Sequence, residues 1–308
     1  MASALSAPHF RDEEAAYAYV EARLWPEGAV CPHCGGMEKV GKLKGKTTRP
    51  GLWKCYQCRK PFTVKIGTIF EDSKVSMRLW LQAMYLIAGS KKGISSNHLH
   101  RILGVTLKTA WFMSHRIREA MRSGDFTPFG AEGGAVEVDE TFIGQDPDAK
   151  PAGKKANYNQ MNKVLALVDR ETGRVRSMVV DALKATEIAP ILYDNIAREA
   201  RLMTDEARVY QGIGKGFAEH GVVAHGRDEY VLGDVFTNTI EGYFSTFKRG
   251  MKGVYQHCQK KHLHRYLAEF DFRYSNRVAL GYNDSDRADA LLQGIVGKRL
   301  TYQTVGAA

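Results

Sequence analysis

The sequence contains no run of about eighteen apolar residues, the length needed to cross a bilayer core as a helix, and this absence argues against an integral membrane protein. Its first stretch, MASALSAPHFRDEEAAYAYVEARLWP, lacks a positively charged segment leading into an apolar one, so a soluble, cytoplasmic protein that is not exported is expected. Cysteine is scarce. Only five occur, and four of them form two CxxC pairs, which fits a reducing compartment and a metal site better than a disulfide framework. Acidic residues are outnumbered, 34 against 44 Lys and Arg, and the net charge of +10 favours a polyanionic partner. With 308 residues and 44% hydrophobic content, two or three globular units with at least one sizeable core are expected.

Cys31-Pro-His-Cys34 and Cys55-Tyr-Gln-Cys58 stand about twenty residues apart. Four thiolates at this spacing make a tetrahedral Zn²⁺ site, and the turn-rich, alternating segment between them, closed by Phe62-Thr63-Val64, predicts a zinc ribbon. A redox dithiol is the competing reading, but no βαβ pattern surrounds the pairs. Structural zinc supplies folding free energy to a module too small for a full core.

Beyond the ribbon, the apolar spacing predicts helices over residues 77–88, 95–103 and 106–121, the last two joined by Leu103-Gly104-Val105. Helix, glycine turn and basic helix resemble a helix-turn-helix, with Lys108 and Arg116 as candidate DNA contacts. The competing reading is a plain three-helix packing unit, and exposure of Lys108, Thr109 and Arg116 decides between them. The loose stretch SGDFTPFGAEGG then marks a boundary. The expected organisation is α+β and multidomain: a helical lead-in and ribbon over 1–70, a helix-turn-helix-like segment over 71–130, a mixed-sheet catalytic domain over 131–280 and a tail over 281–308 with a short helix near Ala288 to Val296.

Within the third segment, strands are predicted over 135–143, 164–169 and 175–180 as an antiparallel meander. A helix over 187–200, a short strand ending at Asp205, a strand around Val222 and Val223 and a helix from Thr237 onward follow. This order is that of a ribonuclease H-like domain. Asp139 in AVEVDETFIG and Asp205 in RLMTDEARVY fall at strand ends, and Glu241 in FTNTIEGYFSTFKRG opens the late helix. Carboxylates are the ligands hard Mg²⁺ or Mn²⁺ prefers, and two such ions roughly 3.5–4 Å apart stabilise the attacking and leaving oxygens of a phosphodiester. Phosphoryl transfer on nucleic acid is the chemistry implied.

On the late helix, Asn238, Glu241, Ser245, Lys248 and Lys252 share one stripe with Arg249 close by, while Ile240, Tyr243, Phe244, Phe247 and Met251 form the inward face. A carboxylate followed along one face by cations suits a groove holding a phosphodiester. Asn238 also reads as a structural cap of the helix, and the lysines as a solvated face. The loop 144–163, with Lys150, Lys154, Lys155 and Lys163, is long enough to be functional.

The four-cysteine ribbon, VDETFIG, TDEARVY and GDVFTNTIEGYFSTFKRGMKGVYQH together resemble the DDE-type transposases of bacterial insertion sequences, in particular the zinc-ribbon-bearing ISXO-like group. The resemblance runs from about Ala15 to Asn276 and is most specific over Gly233 to Tyr255. It implies Mg²⁺ dependence, binding of double-stranded DNA at terminal inverted repeats, cleavage and strand transfer, and a homo-oligomer on DNA. His225 and Asp234 match its pattern. For the third acidic position it leaves two residues open, since members of the group are often described with Asn there, which points to Asn238. Carboxylate is the stronger ligand for a hard cation, so Glu241 is the expected direct one.

Three other classes compete. A nuclease of the same fold would cleave without joining, and a zinc-ribbon DNA-binding regulator would have incidental carboxylates. A tyrosine recombinase would need Tyr210, Tyr243 or Tyr255 in an Arg-His-Arg setting, and none has it. Glu140 is expected on the opposite strand face from Asp139, and Cys258 as a packed or surface thiol.

Overall fold

The computed structural model of the chain describes residues 3–149, 158–223 and 236–301. These fall into two compact units: Met1–Ser90 with Ile94–Arg122 and Tyr282–Ala308, and Lys91–Gly93 with Ser123–Gly281. His225, Asp234, Lys150, Lys154 and Lys155 lie outside the described residues.

The first unit opens with α1 (Pro8–Arg11) and α2 (Glu13–Leu24), the latter capped by Asp12, whose carboxylate accepts the Ala15 amide at 2.8 Å. Strands β1 (Val40–Lys42), β2 (Trp53–Cys55) and β3 (Pro61–Phe62) form an antiparallel three-stranded sheet. Its core is small: Cys31, Cys55 and Phe62 are buried, with Trp25, Val40, Trp53 and Ile66 packed around them. Glu21 of α2 ties this sheet down by accepting from Lys42 Nζ and Trp53 Nε1, both at 2.9 Å.

Helices α3 (Met77–Gly89), α4 (Ser96–Leu103) and α5 (Leu107–Met121) follow. Ser95 and Thr106 cap α4 and α5 by accepting the amides of His98 and Thr109, and Gly104 turns the chain between them at φ +66°. The turn is as expected, but α5 is not an open recognition helix. Met113 through Arg118 are all buried, so the exposed surface is Asn97, His98, Arg101 and Ile102 of α4 with Leu107 and Lys108 at the start of α5. The segment set apart by sequence as a tail carries α10 (Asp284–Gln293), which packs on α3, and Gly297 donates to the Gly67 carbonyl at 2.8 Å. Apolar Leu291, Leu292 and Ile295 are buried there, which is why it is not a tail.

The second unit is built on a five-stranded mixed sheet of β4 (Ala135–Ile143), β5 (Asn162–Asp169), β6 (Val175–Val180), β7 (Arg201–Asp205) and β8 (Glu219–Val223), in the order β6-β5-β4-β7-β8. The first three pair antiparallel, and β7 and β8 join in parallel. This topology is the ribonuclease H-like one. β5 is buried along its length because both faces of the sheet are covered, and its near-continuous Val-Leu-Ala-Leu-Val run is what such a position demands. On one face Val136, Val138, Leu165 and Leu167 meet α6 (Ala185–Asn195) and α7 (Arg208–Ile213). On the other, Ile143, Val164, Ala166 and Val168 meet α8 (Asn238–Gly250) and α9 (Lys260–Ser275). Helix α6 ends at Asn195, short of the expected 200, because the Ile196 region bridges in parallel to Phe129.

Candidate active site

Strand alternation decides which face each side chain takes. Val136 and Val138 point to α6, so Glu137, Asp139 and Thr141 point to the face that α8 covers. Glu140 takes the opposite face, where it accepts from the Tyr210 hydroxyl at 2.5 Å. β7 runs parallel beside β4, paired from Ala135–Arg201 to Glu137–Met203. Two residues on, Asp205 ends β7 as expected, but Asp139 is the fifth of the nine residues of β4 and not its end, because β4 runs on to Ile143 along β5. Asp205 is itself the last residue of β7 and accepts the Ala207 amide at 3.0 Å, turning the chain into α7.

Burial pushes the Asp139 carboxyl up to about 7; the Glu140 amide, donating at 2.7 Å, opposes this, and the charges of Glu140, Asp205 and Glu241 add to it. These acids therefore share one field. A group of carboxylates that repel one another in a half-buried place is the donor set hard divalent cations satisfy. Their oxygens are not gathered as tightly as the cysteine sulfurs: among the described residues, Cys31, Cys34, Cys55 and Cys58 alone have potential ligand atoms all within 4.8 Å of one another.

Helix α8 carries the remaining candidates. Ile240, Tyr243, Phe244, Phe247 and Met251 are buried against the sheet, and Asn238, Glu241, Ser245 and Arg249 are exposed on the other side, as the periodicity requires. Thr237, not Asn238, is the cap residue, and its hydroxyl reaches the Glu241 carboxylate at 3.4 Å instead of a helix amide. Asn238 is the first helical residue. Arg249 folds back on its own helix, donating to the Ser245 carbonyl at 3.1 Å and hydroxyl at 2.8 Å. Lys252 lies beyond the α-helix, in a π-helical turn over Met251–Tyr255, so the stripe reaches it with altered phase.

Two residues of this face escaped the sequence reading. Glu137 is fully buried, and its carboxylate accepts from Arg170 Nε at 2.7 Å and from the Ile240 amide at 2.9 Å. Arg170 also donates to the Phe236 carbonyl and lies 3.6 Å over the Phe236 ring. The available signal was an acid in phase with Asp139 within a β-branched strand, a place where a charge requires a partner.

The ribbon cysteines fit zinc by geometry. A tetrahedron with Zn–S of about 2.3 Å has edges of about 3.8 Å, and the Cys31–Cys58 and Cys34–Cys55 sulfurs are each 3.7 Å apart. The two knuckles repeat one backbone: Cys31 and Cys55 donate to the carbonyls of Gly36 and Lys60, both at 3.0 Å, and Gly35 and Arg59 both take positive φ. The Cys58 amide donates to Cys55 Sγ at 3.5 Å and holds that thiol down at about 7, while Cys34, against the pull of the Gly36 amide, is pushed up to about 12 by the thiols around it, so the four sulfurs titrate as one set.

Arg116 is not a DNA contact. It is buried, and its guanidinium donates to the carbonyls of Ile69 and Glu71, both at 2.7 Å, and of Leu300 at 3.0 Å, so it is a cross-link inside the first unit. Lys108 is exposed. The tyrosines that a covalent recombinase would need are engaged elsewhere: Tyr210 with Glu140, Tyr243 with Asp271 and Ser177, and Tyr255 with Glu269.

Residues 132–275 match the ISXO2-like transposase domain, and residues 11–61 match the transposase zinc-ribbon domain. The chain is 27% identical over 262 residues to an uncharacterized protein in transposable element ISH50 of Halobacterium salinarum, covering 81% of this chain and 86% of that one. Two solved structures resemble it weakly. A simian T-cell lymphotropic virus intasome in complex with PP2A regulatory subunit B56 gamma is 14% identical at a TM-score of 0.29, over 56% of this chain and 63% of that chain. A pre-cleavage Mos1 transpososome is 10% identical at a TM-score of 0.21, over 65% and 77%. Residues 11–61 and 132–275 thus carry a transposase zinc ribbon and an ISXO2-like transposase domain in that order, the arrangement of the zinc-ribbon-bearing, ISXO-like transposases that the chain resembles.

Proposed function

We propose that this protein is an insertion-sequence transposase that binds the double-stranded ends of its element and catalyses metal-dependent strand cleavage and strand transfer. The observation that supports the reading is that Asp139 within β4 and Asp205 at the end of β7 each stand two residues past the last β4–β7 pair, Glu137–Met203, with the charges of Asp205 and Glu241 both acting on the Asp139 carboxyl. Asp139, Asp205 and Glu241 would hold Mg²⁺ or Mn²⁺, with Asn238, one helical turn earlier and also exposed, as the neutral competitor for the third place. Bound there, the cations would stabilise the attacking and leaving oxygens of an in-line displacement.

The chain's own residues supply position. Ser245, Lys248, Arg249 and Lys252 line the helix beyond Glu241 and would hold the phosphodiester backbone by charge, and Lys108 would contact DNA at the start of α5. The reaction is hydrolysis at the element end followed by attack of the freed 3′-hydroxyl on target DNA, without a protein nucleophile. Pairing two ends calls for a homo-oligomer on DNA, acting in the cytoplasm at the nucleoid. Among the described residues no helix is long and apolar enough to cross a membrane.

The test is incubation with labelled DNA carrying the element's own ends, target DNA and Mg²⁺, beside Asp139→Ala. Cleavage with joining supports the proposal. Cleavage alone indicates a nuclease, and DNA binding without either indicates a regulator; both overturn it.

A further inference from the structure

A helix leaves its first amides without intrahelical partners, and the side chain of the cap residue ordinarily accepts from the second or third of them. In α8 that does not happen. Thr237 makes no such bond, and the amide of the third helical residue, Ile240, is taken by a carboxylate from another element, Glu137 of β4. The same carboxylate receives Arg170 at its other oxygen, and Arg170 in turn holds Phe236, directly before the helix, by its carbonyl and its ring.

We propose that Glu137 and Arg170 are positioning residues: together they fix the entry of α8 over β4 and thereby the place of Glu241 relative to Asp139. The last step rests on the function proposed above. The spacing supports it from both sides, since Glu137 lies two residues before Asp139 on the same strand face and Ile240 lies directly before Glu241. One hydrogen bond thus joins the neighbour of each metal-binding candidate. Stability alone does not call for this arrangement, because an apolar residue at 137 would extend the packing of Val168, Ala166 and Ile240, and buried ion pairs are often replaceable by apolar groups at no loss. Geometry does call for it: a displacement of about 1 Å in a catalytic constellation can cost about a hundredfold in rate.

The test uses the full-length, zinc-loaded protein as wild type, Glu137→Gln and Arg170→Lys, the second keeping the charge while losing the fork that reaches Phe236. Hydrogen exchange is followed at the amides of 238–241 and of β5, and Mn²⁺ binding is titrated with Asp139→Asn as the blank. Selective loss of protection at 238–241, with β5 unchanged and the Mn²⁺ midpoint raised about tenfold, as expected on removing an outer-shell partner, supports the proposal. Wild-type protection at 238–241, loss of protection through the whole sheet together, or fraying of α8 with an unchanged Mn²⁺ midpoint each overturns it. If Asp139→Asn binds Mn²⁺ as the wild type does, the proposed metal site falls, and the exchange pattern still decides the positioning role.

Discussion

The carboxylate of Glu137 accepts the backbone amide of Ile240 at 2.9 Å across 103 positions of sequence. Because Glu137 is fully buried and Arg170 nearly so, truncating either leaves a charge without its partner inside the second unit. Glu137→Ala is expected to destabilise that unit by about 3–5 kcal/mol. All four tryptophans lie in the first unit, so their fluorescence is blind to this loss, and the measurement is hydrogen exchange in β4 and β5 under increasing urea.

Removing zinc is expected to unfold the ribbon and leave the mixed sheet intact. The ribbon core has few buried residues beyond its cysteines, so the metal supplies much of its folding free energy. Trp25 and Trp53 meet edge to face at 6.0 Å within that core, and chelation should shift their emission to the red while exchange protection in β5 holds. Unchanged emission after complete zinc loss would contradict this.

Arg116 and Lys108 separate packing from the proposed DNA contact. Arg116→Ala strands three carbonyls of the first unit and is expected to cost about 3 kcal/mol, at roughly 1 kcal/mol or more for each lost bond to a charged group. Lys108→Ala should leave stability within about 0.5 kcal/mol and lower the salt slope of DNA binding by about one. Thermal unfolding and salt-dependent binding of the two variants check the contrast.

That contrast shows where the sequence was legible. The strands of the second unit, the stripe of α8 and the zinc spacing follow local periodicity and were read to within a few residues. The cysteine fit and the burial of Tyr243 and Phe247 came with them. Arg116 was misread because a basic residue on an amphipathic helix has the same pattern whether its guanidinium meets phosphate or distant carbonyls. Glu137 was passed over for the same reason: its partners, Arg170 and Ile240, are set by tertiary pairing, which no window of sequence displays. In the carboxyl-terminal segment the short helix is legible, though it begins at Asp284 and ends at Gln293, while its docking is not, because its short apolar cluster finds its complement in the distant α3.

Asp271 gives a pH dependence of definite sign. It is buried and accepts from the Ser177 amide at 2.9 Å, the Ser177 hydroxyl at 2.7 Å and the Tyr243 hydroxyl at 2.5 Å, yet burial outweighs these bonds and pushes it up to about 7. Between its unfolded value near 4 and about 7 the folded state holds the extra proton, so this group makes stability fall as pH rises through that window and adds nothing further above it. Asp271→Asn should remove that contribution, changing the slope of stability by up to about 1.4 kcal/mol per pH unit. Chemical denaturation of both proteins from pH 4 to 8, followed by exchange in β6, measures it.

The central claim concerns phosphoryl transfer by Asp139, Asp205 and Glu241, and one assay bears on it most directly: Mg²⁺-dependent cleavage and joining of labelled element ends by wild type, Asp139→Ala, Glu241→Gln and Asn238→Ala. The account predicts that wild type cleaves and joins, that Asp139→Ala and Glu241→Gln lose both, and that Asn238→Ala retains them. Normal cleavage by Asp139→Ala would contradict the account outright, and normal cleavage by Glu241→Gln with loss in Asn238→Ala would move the third ligand one helical turn back.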